Sequence, residues 1–273
     1  MKRKWIRWVS WILLTPIILF VILMVLLYVP PVQNLLRREV TAYASKATGM
    51  QIQVERIDLR FPLNLLVRGV EVIQQPDTLL SLESLNVRVQ AWPLIKGKVE
   101  VDEVTLSRVA VNSADLMEGM KIKGVLGRFF LQSHGVDLSN ELAVINQVEL
   151  SDTHMQLLMN DTTTTPKDTT ASAPINWKVA LHQLKLKNVS FGMQLPADSM
   201  RMTAHIGEAA INNAQADLKN QYYDLKKFLL SGTSASYDTG TAQPAEGFDA
   251  SHIAVRDIRI ALDSLLYKGR DMN

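Results

Sequence analysis

The chain contains no cysteine, which excludes disulfide bonds, thiolate metal sites and a cysteine nucleophile. It also lacks an excess of one charge, because 29 Lys and Arg residues stand against 27 Asp and Glu residues. Binding to nucleic acid needs clustered basic residues, so we expect no nucleic-acid partner. Charge is missing altogether between Trp8 and Asn34, and that absence points to a membrane segment.

Motifs for catalysis and cofactor binding are absent as well. Gly124 and Gly127 lack the third glycine of a dinucleotide fingerprint, and there is no Walker-type lysine or Gly-x-Ser-x-Gly elbow. The histidines are all too far apart to form a helical zinc pair: His134, His154, His182, His205 and His252. Catalysis needs convergent groups, and no such set is visible. We therefore expect a protein that is not an enzyme and that binds no metal or cofactor.

The uncharged stretch is apolar over most of residues 9–29. About 20 such residues span a hydrocarbon core of about 30 Å, and Trp8 and Tyr28 stand at its ends, where aromatic rings favour the interface. Four basic residues precede the stretch, so the positive-inside rule places the N-terminus in the cytoplasm. We predict a cytoplasmic basic stub and an uncleaved transmembrane anchor over residues 1–30. The alternative is a cleaved signal peptide, but small residues for cleavage are missing.

A helical repeat follows over residues 31–49. Pro30 and Pro31 end the preceding helix and suit the first turn of a new one, while Gly49 provides a C-terminal stop. Apolar residues recur at helical spacing between charged ones: Val32, Leu35, Leu36, Val40, Tyr43, Ala44 and Ala47. We predict an amphipathic helix whose apolar stripe packs on the following domain. The alternative is that the stripe lies on the membrane surface.

From Gln51 onward the apolar period changes from 3.6 to 2, as in half-buried antiparallel strands. A six-residue pattern recurs, in which the first, fourth and sixth residues are apolar. Its copies begin at Val54, Val67, Leu82, Val101, Ile145, Leu181, Ile206 and Val255. The last two apolar positions of a copy share one face of a strand, whereas a turn or bulge must re-aim the chain after the first. The recurrence predicts a repeating β-architecture in which each strand pairs mainly with its neighbours.

Two stretches interrupt this repeat. Residues 160–174 are rich in Thr and Asp and contain two prolines, which predicts a mobile loop. Residues 231–248 are similarly rich in Gly, Ser, Thr and Ala. Residues 217–230 place Leu218, Tyr222, Leu225 and Leu229 at helical spacing, which predicts a helix. The alternative is a strand, which the pair Tyr222-Tyr223 also suits.

The predicted body therefore has a first part over residues 50–159 and a continuation over residues 175–273. No closing helix or polar cap follows its last β-like run. Because an uncapped repeat exposes an edge, we expect the chain to be a fragment of a longer protein.

The order of segments in the N-terminal third is distinctive. The anchor is followed by the helix ending at Gly49, by a strand over residues 51–59, and by the run from Leu66 to Val72. Further on come Asp77-Thr78-Leu79-Leu80, the stretch 82–89, Trp92-Pro93-Leu94-Ile95-Lys96-Gly97-Lys98-Val99 and the stretch 101–106. In this order the segments resemble the start of the AsmA-like and TamB-type bacterial envelope proteins.

The resemblance implies a mainly β body, built as a long curled antiparallel sheet with an apolar inner groove similar to that of chorein-type lipid bridges. It also implies an inner-membrane anchor, a periplasmic body and a barrel partner in the outer membrane. The expected function is phospholipid transfer and envelope assembly, with membrane lipids as partners. The alternative is a scaffold that assembles outer-membrane proteins without transporting lipid.

Physical chemistry agrees with a lipid groove, because a sheet with no second layer must cover its apolar face with something. At about 0.8 kcal/mol per buried methylene, one acyl chain gains roughly 10 kcal/mol there. The groove candidates are same-face pairs: Val104 and Leu106, Val148 and Leu150, Leu184 and Leu186, and Ile258 and Ile260. The alternative is that they form the core of a closed sandwich.

Overall fold

The computed structural model describes residues 28–61, 63–95, 100–114, 119–137, 141–159, 176–240 and 251–268. The predicted anchor lies almost entirely outside these residues, as does the predicted loop over residues 160–174. Within them, no helix combines the length and the apolar character needed to cross a bilayer.

One long helix precedes ten strands. The helix is α1 (Pro30–Thr48), and a short helix, α2 (Ala91–Ile95), follows the third strand. The strands are β1 (Gln51–Arg60), β2 (Asn64–Gln74), β3 (Asp77–Val89), β4 (Val101–Asn112), β5 (Met120–Asp137), β6 (Leu142–Met159), β7 (Lys178–Leu195), β8 (Met200–Asp217), β9 (Tyr222–Thr239) and β10 (His252–Lys268). All eight predicted copies of the repeat lie on strands, so the mainly β prediction is confirmed.

In the described part of the chain, all ten strands form one open sheet whose order follows the order along the chain. Each strand therefore pairs with its sequence neighbours, as the repeat predicts. The prediction of antiparallel pairing is wrong at one place, because β6 and β7 run parallel. A parallel pair needs a connection of about a dozen residues or more, and the stretch between Met159 and Lys178 is long enough.

Regular pairing breaks along one row of positions that crosses the sheet. The register skips these residues on successive strands: Glu55, Gly69, Glu83, Arg108, Gly127, Asp152, Asn188, Gly207 and Gly232. Five of them have a positive φ, between 47° and 58°: Gly69, Arg108, Asp152, Asn188 and Gly232. Left-handed residues of this kind re-aim a strand, as at a β-bulge.

Strand β9 shows what the breaks do. Lys227 and Gly232 have a left-handed backbone conformation. Lys227 lies between Leu225 and Phe228, and Gly232 lies between Leu230 and Thr233, so each break separates two less exposed positions that are three residues apart. The less exposed side chains are Leu225, Phe228, Leu230 and Thr233, whereas Lys226, Lys227, Leu229 and Ser231 are exposed. Positions three apart across a break thus lie on the same side of the sheet.

The same strand corrects two predictions. The helix predicted over residues 217–230 is wrong, because residues from Tyr222 onward belong to β9, which pairs with β8 and β10. The break at Lys227 produces an apolar spacing of three, which imitates a helical period. Residues 231–239 continue the strand rather than interrupt it, since both neighbours supply backbone partners.

Helix α1 ends as predicted. Gly49 is left-handed, with φ of 70°, and its N–H donates to the Ser45 carbonyl oxygen at 2.9 Å. The helix covers the side of β1 that has no strand partner. Gln33 Nε2 donates to the Leu59 carbonyl oxygen (3.0 Å), Arg37 Nη1 donates to that of Glu55 (2.7 Å), and Ser45 Oγ accepts from the Ile52 N–H (3.0 Å). A helix in this place protects a sheet edge from further pairing.

The prediction that the apolar stripe of α1 packs on the following domain is wrong for most of the stripe. The helix meets β1 through Gln33, Arg37 and Ser45, because the strand edge presents backbone groups that need polar partners. Leu35, Val40 and Tyr43 remain 56%, 51% and 77% exposed.

Candidate functional site: a continuous apolar strip

Two adjacent rows of cross-strand partners are apolar on all ten strands. The first row consists of Ile57, Val67, Leu85, Leu106, Phe129, Leu150, Leu186, Ala209, Leu230 and Ile260. The second consists of Leu59, Leu65, Val87, Val104, Leu131, Val148, Leu184, Ile211, Phe228 and Leu262. Directly opposed residues share a face, and so do residues two apart on a strand. We call these twenty residues the apolar strip.

The apolar strip runs perpendicular to the strands. Nine spacings of about 4.8 Å give it a length of about 43 Å. An extended acyl chain measures roughly 15 Å, which is half of a hydrocarbon core of about 30 Å. The strip is therefore long enough for two or three chains placed end to end.

Side chains of the apolar strip are neither packed away nor fully exposed. On β1 to β9 they are half-buried, apart from Ala209, which is 5% exposed. The described residues include no large side chain that is completely buried, and the strands make most of their contacts with their neighbours in the sheet. The sandwich alternative is therefore wrong for this part of the chain, because no second layer lies over the strip.

The opposite face of the sheet carries charged as well as apolar side chains beside the strip. Glu149 lies between two strip residues on β6 and pairs with Lys185 on β7, with Oε1 and Nζ 3.7 Å apart. Glu103 similarly pairs with Arg88, with Oε2 and Nη1 3.2 Å apart. In both pairs the basic side chain is exposed and the carboxylate is half-buried. Along these rows the strip face is apolar on every strand, whereas the opposite face mixes charged and apolar side chains.

The structure brings together seven of the eight predicted groove residues. Leu106, Leu150, Leu186 and Ile260 lie in the first row, and Val104, Val148 and Leu184 lie in the second. Ile258 lies outside both rows and opposes Thr233, because the register shifts on either side of it.

Sequence reasoning missed the strip residues of β5 and β9. Both strands carry the same pattern, at Leu126, Phe129 and Leu131 and again at Leu225, Phe228 and Leu230. The recurring pattern would therefore have found Phe129, Leu131, Phe228 and Leu230.

The described residues also contain no group of three or more His, Asp or Glu side chains placed to hold a metal ion. No protein-family model matches this chain, and a search of curated proteins finds no match.

Proposed function

We propose that this protein is an inner-membrane-anchored periplasmic bridge that carries phospholipid acyl chains along the apolar strip toward the outer membrane. The observation that carries this proposal is the continuity of the strip, which has no polar residue on any of ten strands. In this proposal the anchor is formed by residues 1–30, the N-terminus is cytoplasmic and the body lies in the periplasm as a curled groove. Its role is transfer and envelope assembly without enzymatic activity.

Energetics support acyl chains as the cover for the strip. An uncovered apolar face is unfavourable in water, at roughly 25 cal/mol for each Å². Each methylene that enters the strip contributes about 0.8 kcal/mol, whereas the lipid headgroup can remain in water because the sheet is open. The half-buried side chains of the strip contact an acyl chain on one side only, which allows the acyl chain to slide along the sheet.

A second function, scaffolding of outer-membrane proteins, is favoured by β10. Among the described residues this strand pairs with β9 alone, and Leu265, Leu266 and Tyr267 are 54%, 54% and 53% exposed. An exposed edge strand recruits another strand through main-chain hydrogen bonds. A strand of a barrel partner would fit this edge.

Photo-crosslinking of the full chain in membranes tests the lipid function. A photoreactive residue at position 150, within the strip, should form phospholipid adducts, whereas one at position 149 on the opposite face should form few. The Leu106→Asp variant should reduce adducts from position 150, because a carboxylate two strands away repels acyl chains. It should still fold, since an open strip lets the carboxylate reach water.

Thr105→Asp is the matched control, because Thr105 is adjacent in the chain and faces the other side of the sheet. It should leave both the circular dichroism spectrum and the adducts unchanged. An absence of lipid adducts from position 150 in the unmodified protein would remove the lipid-transfer function for this segment. Adducts with a barrel protein at β10, without lipid, would favour the scaffold.

A further inference from the structure

A cavity of about 570 Å³ lies on the sheet face opposite to the apolar rows, over strands β4 to β9. This volume is within the usual range for sites that bind small molecules. One row of cross-strand partners crosses it, consisting of Lys123, Gln156, Gly192 and Thr203. Gly192 has no side chain, so it forms the floor of the cavity, and the side chains on either side of it form the walls.

Positive charge lines this cavity. Lys121, Lys123 and Arg201 are among the lining residues, and none of the described lining residues is acidic. The side chains of Lys123 and Arg201 form no hydrogen bond or ion pair with the described part of the chain. Asp238, which opposes Arg201, is already bonded to His252 Nδ1 at 2.8 Å. The charges of Lys123 and Arg201 are therefore available to a ligand.

These two cations approach from opposite sides. Lys123 is on β5 and Arg201 is on β8, two residues before Thr203, which ends the row. Three strand spacings and this offset along the strand place their backbones about 16 Å apart. Both side chains are long enough to reach over the strands between them. A tetrahedral anion above Gly192 can accept hydrogen bonds from several directions, which suits phosphate better than a planar carboxylate.

Neutral polar groups complete the lining. Ser190 Oγ and His205 Nδ1 are 2.9 Å apart, and Gln156 Nε2 and His154 Nε2 are 3.0 Å apart. Hydroxyl, amide and imidazole groups of this kind recognise the hydroxyls of a sugar.

We propose that this cavity binds a phosphate group carried on a hydroxylated body, either a free sugar phosphate or the headgroup of a phospholipid such as phosphatidylglycerol. Lys123 and Arg201 hold the phosphate above Gly192, and the surrounding hydroxyl, amide and imidazole groups bind the hydroxyls. The site does not depend on the apolar strip, because it lies on the other face of the sheet.

Calorimetric titration of the full chain in a non-ionic detergent tests this site. Glucose 6-phosphate should bind more tightly than inorganic phosphate, and glucose should bind weakest. Arg201→Gln and Lys123→Gln should each weaken binding of glucose 6-phosphate by about tenfold, as expected for the loss of a charged hydrogen bond. Gly192→Leu should abolish binding by filling the floor. Lys187→Gln removes an exposed lysine of β7 that does not line the cavity, and it should change nothing.

Further outcomes separate the two sources of phosphate. If soluble dihexanoyl phosphatidylglycerol displaces glucose 6-phosphate, and this displacement is lost in Arg201→Gln, the site binds a lipid headgroup. If it does not displace glucose 6-phosphate, the site binds a free sugar phosphate. Equal affinity for inorganic phosphate and glucose 6-phosphate would overturn the proposal, as would an equal loss in Lys187→Gln. Circular dichroism confirms folding, and Leu106→Asp should bind glucose 6-phosphate normally, which keeps this test independent of lipid transfer.

Discussion

At the scale of single residues, Gly207 of β8 lies close to the backbone of β9. A Cβ atom there would lie 2.8 Å from the Gly232 carbonyl oxygen and 3.1 Å from that of Ser231. We expect Gly207→Ala to lower the free energy of unfolding by about 1–3 kcal/mol, because backbone atoms cannot yield as a flexible side chain does. Urea denaturation measures this change.

Gly192→Ala is the control, since the nearest contact of its added Cβ atom is the Gln156 side chain at 3.8 Å. The stability of this variant should equal or exceed that of the unmodified protein. Equal losses in both variants would refute the explanation.

A second residue-scale prediction concerns Asp217, in the turn between β8 and β9. The pKa of Asp217 is lowered, chiefly by the hydrogen bond from the Asn220 backbone N–H (3.1 Å), with the Asn220 side chain and Lys178 also lowering it. The ionised form therefore favours the folded turn. Its contribution is complete above the ordinary aspartate pKa of about 3.9, and it is lost as the pH falls through the lowered value.

Hydrogen exchange measures this effect. The protection factor of the Asn220 amide should fall in acid, and Asp217→Asn should remove most of that pH dependence. An unchanged pH profile in the variant would show that another group controls the turn.

At the scale of elements, the repeat pattern was enough to place strands and to identify seven residues of the apolar strip. It succeeded because positions such as Leu106 and Leu150 must alternate with polar residues when only one face avoids water. The parallel pairing of β6 with β7 was beyond its reach, since alternation is the same in both strand directions.

The other failures share a physical cause. Leu225, Phe228 and the residues around them have helical spacing because a left-handed residue, Lys227, breaks the alternation. Only the pairing with β8 and β10, which the apolar spacing does not reveal, decides in favour of a strand. Similarly, the polar side of α1 faces β1 because a strand edge offers backbone groups, and no local pattern indicates that α1 meets an edge.

Helix α1 carries the third prediction, which revives the membrane-surface alternative for its stripe. Leu36, Val40 and Tyr43 are exposed, and the helix begins directly after the uncharged apolar residues 9–29. We expect these side chains to enter the lipid interface, which accepts the apolar face of an amphipathic helix to a depth of roughly 5–10 Å.

The full chain in nanodiscs, with an environment-sensitive fluorophore on a single cysteine, allows a direct measurement. Brominated lipids should quench a label at position 43 but not one at position 42, which is exposed on another side of the helix. Equal quenching at both positions, or none at position 43, would mean that the stripe does not meet lipid.

At the scale of the whole molecule, this sheet departs from the usual way of stabilising a fold. Its buried apolar residues in the described part are few: Leu79, Leu82, Ala143 and Ala209. Each strand is supported mainly by its two neighbours, as in a solenoid, so stability is the sum of many similar local contributions. Helix α1 covers one edge, whereas β10 has no strand on its other side in the described part of the chain. On our proposal, acyl chains cover the apolar strip of this sheet.

The final prediction follows from that arrangement. A ligand that binds only the folded state stabilises it by about 2.7 kcal/mol at a concentration of one hundred times Kd. Dihexanoyl phosphatidylcholine, kept below its micellar concentration, should therefore raise the Tm of the full chain by roughly 5–10 °C as its concentration increases. The shift should be smaller in Leu106→Asp, which places a charge in the apolar strip, and unchanged in Thr105→Asp, which places the same charge on the opposite face. If the Tm does not depend on the lipid, or if both variants respond alike, acyl chains do not cover the strip.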